Sequence, residues 1–146
     1  MNKKVKLVIE ISVFVLVIVG IALVYNFSGK DKEEVEEKAV SVGVVKITDA
    51  NFESEILNSE LPVILDFSSN SCPPCVAMLT TLIDIAKNNK DIKVATLNVD
   101  SKDCAEIVKN YPVEGTPTLM IFEDGEVTST LVGAMDADRI LSELEK

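Results

Sequence analysis

Cys72 and Cys75 stand three positions apart in Ser71-Cys72-Pro73-Pro74-Cys75, where an apolar strand pattern gives way to an amphipathic helix pattern. Thiols at that spacing can open and close as a disulfide. The start of a helix presents unpaired backbone N–H groups and a partial positive charge. Both favour the thiolate, the form in which cysteine attacks another disulfide. The chemistry to expect is electron transfer to or from other thiols. A purely structural bridge is the weaker reading, because a cross-link gains stability with the length of the loop it closes, and this loop is very short.

A Cys-x-x-Cys pair can also be half of a zinc site. The chain has 3 cysteines and no histidine, so only Cys104 remains as a further soft ligand. Tetrahedral zinc sites lean on Cys and His, so no metal is expected, nor any other cofactor. Without histidine, Cys-His and Ser-His-Asp catalysis are also excluded. The formal net charge is −10, and all of the excess lies from Ala39 onward. Phosphates would be repelled, which argues against nucleic acid as a partner. Solubility is the simpler reason for the acidity.

The elements that must position the cysteines follow a membrane-type N-terminus. Lys3, Lys4 and Lys6 lie in a basic segment, residues 1–6. An apolar run from Leu7 to Tyr25 follows, broken only by Glu10 and Ser12. A run of about 18 or more apolar residues suits a spanning helix, and residues 7–27 are read as a single-pass anchor in the bilayer. A cleaved signal peptide is the rival, but Asn26-Phe27-Ser28-Gly29 makes a poor cleavage site. The basic start places the domain outside the cytoplasm, although Lys30, Lys32 and Lys38 reduce the asymmetry. Residues 28–41 form a charged linker, a solvated tether with some helical character. Residues 42–146 form the folded domain.

Within that domain strand and helix patterns alternate. Val42–Ile47 is a strand, and Thr48 or Asp49 caps a short helix carrying Phe52, Ile56 and Leu57. Pro62–Phe67 is a buried strand. Pro73 to about Asn88 is a helix with Cys75, Met78, Leu79, Leu82, Ile85 and Ala86 facing inward. Ile92–Val99 is a strand, and a shorter helix lies within Asp100–Tyr111. Thr118–Phe122 and Val127–Val132 are strands joined through Glu123-Asp124-Gly125-Glu126, a hairpin signal. Asp136–Leu144 is a closing helix with Ile140, Leu141 and Leu144 inward. The order is β-α-β-α-β-α-β-β-α, an α/β chain.

Several features in this order resemble the thioredoxin family. They are Asp66 in a buried strand six residues before Cys72, Cys72-Pro73-Pro74-Cys75, Asn98-Val99-Asp100, Val113-Glu114-Gly115-Thr116-Pro117-Thr118, Asp124-Gly125 and Val132-Gly133-Ala134. The resemblance covers Val42 to the C-terminus and implies a thioredoxin fold, a central mixed sheet flanked by helices. It implies Cys72 as the attacking thiol and Cys75 as the resolving thiol, with a redox-active Cys72–Cys75 disulfide. It implies Asp66 as a proton relay to Cys75. Burial among Ile64, Leu65 and Phe67 should raise the Asp66 pKa. It further implies a cis Thr116-Pro117 bond whose backbone pairs with an extended substrate segment. Gly133 would form the opposite wall of the groove, and Pro73 and Pro74 would border it.

The chain departs from the family at several positions. Ser68 and Ser71 stand where tryptophans are common, and the chain has no Trp. Val76 replaces a basic residue, and Thr80 replaces a proline that often kinks the helix. Thr96 replaces a lysine that often neighbours the buried acid, so the acid lacks a balancing cation. Cys104 is read as a buried small residue, with a regulatory disulfide as the alternative.

The expectation is a protein-disulfide reductase whose clients are disulfide-containing proteins outside the cytoplasm. A membrane thiol electron carrier or a thioredoxin reductase would recharge it. A disulfide-donating oxidase and a non-catalytic docking module are the alternatives.

Overall fold

The computed structural model describes residues 15, 16, 18, 19 and 35–145. The chain divides into two units, residues 1–34 and 35–146. In the first, Val15, Leu16, Ile18 and Val19 are helical and exposed. The rest of the expected anchor over 7–27 lies outside the described residues, as does most of the linker. Among the described residues no helix is long and apolar enough to cross a membrane.

The second unit is built on one five-stranded sheet. Its strands are β1 (Val45–Lys46), β2 (Val63–Ser68), β3 (Lys93–Asn98), β4 (Thr118–Glu123) and β5 (Glu126–Val132), in spatial order β1-β3-β2-β4-β5. β1, β3 and β2 run parallel, while β2–β4 and β4–β5 are antiparallel. Parallel neighbours need crossovers long enough to hold a helix. The crossover from β2 to β3 is α1 (Pro73–Asn88), and α2 (Ala105–Asn110) lies between β3 and β4. The chain closes with α3 (Ala137–Leu144), capped by the Asp136 carboxylate, which accepts from the Arg139 N–H at 2.9 Å. This is the mixed, helix-flanked sheet that the resemblance implies.

β2 is apolar on both faces because both are covered. Successive strand residues point to opposite faces. Ile64 packs into one cluster with Met78, Leu82 and Ile85 of α1, Val94, Leu119 and Ile140. Val63, Leu65 and Phe67 pack into the other with Phe52, Ile56, Leu97, Ile107 and Phe122. Asp66 has the parity of Ile64 and so lies on the α1 face of the sheet. Each buried Ile, Leu or Phe contributes about 1.5–3 kcal/mol, which fixes the register of β2 and hence the point at which the chain leaves it toward Cys72. α1 buries every residue expected to face inward, and Ile83 as well.

Three expectations differ from the structure. The first strand is only Val45–Lys46, not Val42–Ile47. Residues 35–41 are helical, with Ala39 buried in the core and Val35 and Val42 packed against it, so this end of the linker belongs to the folded unit. The helix ends in a turn in which Val42 N–H donates to Lys38 O at 3.2 Å and Gly43 takes φ +94, which uses up the residues expected to extend β1. Finally, Asp49 does not cap the short helical segment Glu53–Leu57. Its carboxylate accepts from the N–H groups of Glu106 and Ile107 at 3.1 and 3.0 Å, at the start of α2.

Candidate functional site

Cys72 is the residue that caps α1, and its side chain does the capping. Its extended backbone (φ −112, ψ 96) lets Sγ accept the N–H of Cys75 at 3.2 Å. Serine, threonine or aspartate oxygen usually fills this role. Sulfur here means that a thiol of the cysteine pair meets the helix N-terminus, and a thiolate accepts such a bond better than a thiol. Pro73 and Pro74 occupy the first two helical positions and carry no N–H, so Cys75 supplies the first backbone donor of the helix. The first turn holds no acidic side chain to offset its positive end.

Cys72 and Cys75 form a disulfide with Cα atoms 5.4 Å apart. Cys72 is half-buried, Cys75 is buried, and both prolines are exposed. A partner can therefore reach Cys72 first. α1 runs unbroken through Thr80, whose hydroxyl donates to Val76 O at 3.2 Å.

The loop before β4 closes over the pair. The Thr116–Pro117 bond is cis, as expected. The Thr116 carbonyl oxygen lies 3.4 Å from Cys72 Sγ, and in the reduced protein it can accept the thiol proton. Thr118 Oγ1 donates to Gly115 O at 2.7 Å, which pins the loop. Gly133 N–H donates to Pro117 O at 2.8 Å, bringing the end of β5 alongside. Gly133 has φ +93, a region that favours glycine, and a Cβ there would meet no atom of this chain within 4 Å. The neighbouring Val132 is 68% exposed. Cys72, Thr116, Pro117 and Gly133 thus gather at one end of the sheet, with Pro73 and Pro74 beside them.

Asp66 sits deeper, wholly buried on the α1 face. Its Oδ2 accepts from Thr96 Oγ1 at 3.4 Å, and its Oδ1 has no hydrogen-bond partner among the described residues. Burial pushes its pKa from 3.8 up to about 7, and the Thr96 bond offsets little of this. Such a carboxyl can gain or lose a proton near neutrality.

Cys104 is buried, and its thiol donates to Ile47 O at 3.4 Å. Burial pushes its pKa up, and the negative charges of Asp49 and Asp103 add to this. It has the character of a packed small residue. Among the described residues no group of His, Cys, Asp and Glu is arranged to hold a metal.

One part of the site was not assigned a role from sequence. Asp100 Oδ2 accepts from Ser69 Oγ at 2.7 Å and from Asn70 N–H at 3.1 Å, bridging to the segment before Cys72. The parallel pairing of Ser68 with Asn98 places the two loops side by side. That pairing was the available signal, since both loops leave neighbouring strands at the same sheet end.

The family model described as Thioredoxin matches residues 43–146. Thioredoxin of Pseudomonas aeruginosa is 35% identical over 107 residues, covering 73% of this chain and 97% of that protein. Thioredoxin of Pyropia yezoensis is 37% identical over 106 residues, covering 72% and 97%. Thioredoxin of Mycobacterium bovis is 38% identical over 101 residues, covering 68% and 85%.

Proposed function

Since this chain belongs to the thioredoxin family of thiol–disulfide oxidoreductases, we propose that its Cys72–Cys75 pair reduces disulfides in proteins outside the cytoplasm, tethered to a membrane by residues 7–27. The observation that carries the reading is the asymmetry of the pair. Cys72 is half-buried with its Sγ accepting a hydrogen bond at the helix N-terminus, while Cys75 is buried one turn in.

In the reduced protein the Cys72 thiolate attacks one sulfur of a client disulfide. The client S–S bond breaks, a mixed disulfide forms, and the departing client thiolate takes up a proton. Cys75 gives its proton to the Asp66 carboxylate and attacks Cys72 Sγ. The mixed disulfide breaks, the second client thiol leaves, and the Cys72–Cys75 disulfide remains. Two electrons have passed from the dithiol to the client. A membrane thiol carrier or a thioredoxin reductase returns them. The Thr116 backbone and Gly133 would border the groove that takes the extended client segment.

The two prolines favour reduction over oxidation. A strong oxidant owes its poise to a stabilised reduced form. With no N–H on Pro73 or Pro74, fewer donors reach the Cys72 thiolate. The potential should lie nearer −270 than −120 mV, the span of about −270 to −120 mV found from thioredoxin to the strongest oxidants. A strongly oxidising value would favour a disulfide-donating oxidase instead.

The tether is supported by Lys3, Lys4 and Lys6 before an apolar run. Val15, Leu16, Ile18 and Val19 of that run are helical with exposed side chains. Cys75→Ser should stall the reaction as mixed disulfides through Cys72. Exported proteins among the trapped clients are expected. Recovery of cytosolic clients alone would overturn the assignment of compartment, and cellular function preserved in Cys72→Ser would favour a non-catalytic docking module.

A further inference from the structure

We propose that Asp100 is a positioning residue for the reaction at Cys72, acting through Ser69 and the Asn70 backbone. The proposal rests on Cys72 being the attacking sulfur. β2 ends at Ser68 and α1 begins at Pro73, so residues 69–71 alone carry the chain from the sheet to Cys72. None of the three has an apolar side chain, and Asn70 and Ser71 are exposed. Packing cannot hold this segment, so polar contacts must.

Those contacts converge on one carboxylate thirty residues away in sequence. Asp100 Oδ2 accepts the Ser69 hydroxyl at 2.7 Å and the Asn70 N–H at 3.1 Å. Ser69 Oγ, its proton given to Asp100, then accepts the Ser71 N–H at 3.2 Å and lies 3.2 Å from the Ser71 hydroxyl. A chain of bonds thus runs from Asp100 through Ser69 to Ser71, the residue bonded to Cys72. Asp100 is itself held in a tight turn. Its N–H donates to Asn98 Oδ1 at 2.9 Å, and Ser101 N–H donates to Asn98 O at 3.0 Å. The loop end of β3 is therefore a fixed post, and hydrogen bonds to an ionised acceptor are the stronger kind. At the far end of the tie, Cys72 Sγ accepts the Cys75 N–H at 3.2 Å and lies 3.4 Å from the Thr116 carbonyl oxygen. Slack in residues 69–71 moves the sulfur away from the N–H that stabilises its thiolate.

The test uses the reduced full-length protein, with insulin as the disulfide substrate and iodoacetamide as the probe of Cys72, read peptide by peptide from pH 5 to 10. Asp100→Ala should move the midpoint of Cys72 alkylation to higher pH and lower kcat/KM for insulin about fivefold. Asp100→Asn keeps a carbonyl oxygen that accepts both donors and should restore most of each. Ser69→Ala should show part of the same shift, and the double variant should be no worse than Asp100→Ala, because both act through one tie. Should Asp100→Ala fail to fold, Ser69→Ala decides alone. If Cys72→Ser is inactive while Asp100→Ala and Ser69→Ala match wild type in both readouts, the positioning role is overturned and the role of Cys72 stands. If Cys72→Ser still turns over insulin, the reading of Cys72 falls first and the positioning role falls with it.

Discussion

Thr96 Oγ1 donates to Oδ2 of Asp66 across 3.4 Å, and among the described residues this weak bond is the one side-chain hydrogen bond that lowers the pKa of a wholly buried carboxyl. The two residues face each other across β2 and β3 in parallel register, on the sheet face that α1 covers.

Asp66→Asn should stabilise the protein at alkaline pH and not at acid pH. The folded-state pKa is about 7, raised from 3.8. Between those values the folded state holds a proton that the unfolded state has lost, so stability falls as pH rises and is lowest above the folded pKa. A shift of that size corresponds to about 4 kcal/mol at most. Urea unfolding of the oxidised protein at pH 4 and pH 8.5 reads it. Wild type should weaken markedly between the two, and the Asn variant should not. Equal pH dependence in both proteins would show that Asp66 is not the group responsible.

Thr96→Val removes the hydroxyl and keeps the shape. The lost bond favoured the charged form, so the Asp66 pKa should climb further. Thr96→Lys should do the reverse by supplying the cation this site lacks. The carboxyl carbon resonance of Asp66, followed by NMR through neutral pH, reports the direction. In the reduced protein, a higher Asp66 pKa should also move the onset of Cys75 reactivity. A Cys75 alkylation profile indifferent to both substitutions would remove Asp66 from the proton path.

Two glycines at positive φ should separate stability from activity. A Cβ on Gly125 (φ +80) would sit 2.7 Å from the Leu57 carbonyl oxygen, a backbone atom that cannot swing aside. Gly133 (φ +93) has open space around the same position. Gly133→Ala therefore bears the backbone penalty alone, about 1–2 kcal/mol. Gly125→Ala adds a clash and should cost more. Activity should rank the other way, since Gly133 lies against the cis-proline loop through its bond to Pro117 O. Thermal unfolding and insulin reduction on the two variants give both rankings.

Most of the sheet and the cysteine site could be read in the residues because local and tertiary signals agree there. β2 is buried and apolar apart from Asp66 and its terminal Ser68, α1 repeats its apolar residues at helical spacing, and Asp124-Gly125 turns a hairpin with both residues at positive φ. The reading erred where a short-range signal was claimed by a distant partner. Asp49 looks like a local cap, yet the fold brings α2 over it. Asp100 was visible as part of a motif, but its bonds to Ser69 and Asn70 depend on two strands being neighbours. The packing of the helix over residues 35–41 against the core was hidden by charge. Val35, Ala39 and Val42 fall at i, i+4 and i+7, an apolar stripe narrow enough to be lost among acidic and basic neighbours.

That stripe yields the last prediction. Ala39 is 2% exposed and lies in the cluster that also holds Met78, Leu82 and Ile140, with Val35 and Val42 against it. If the segment were only a tether, a chain starting at Gly43, where the family match begins, would be as stable as one starting at Val35. The contacts say otherwise. Removing residues 35–42 uncovers part of the core beside α1 and α3, and losing one small and two half-buried apolar side chains should cost roughly 2–3 kcal/mol. Ala39→Asp in the longer chain should reproduce much of that loss by placing a carboxylate among apolar neighbours. Val40→Asp, at an exposed position on the same helix, should not. Urea midpoints for the four proteins decide the matter: equal values for the two truncated chains would return residues 35–41 to the role of a spacer.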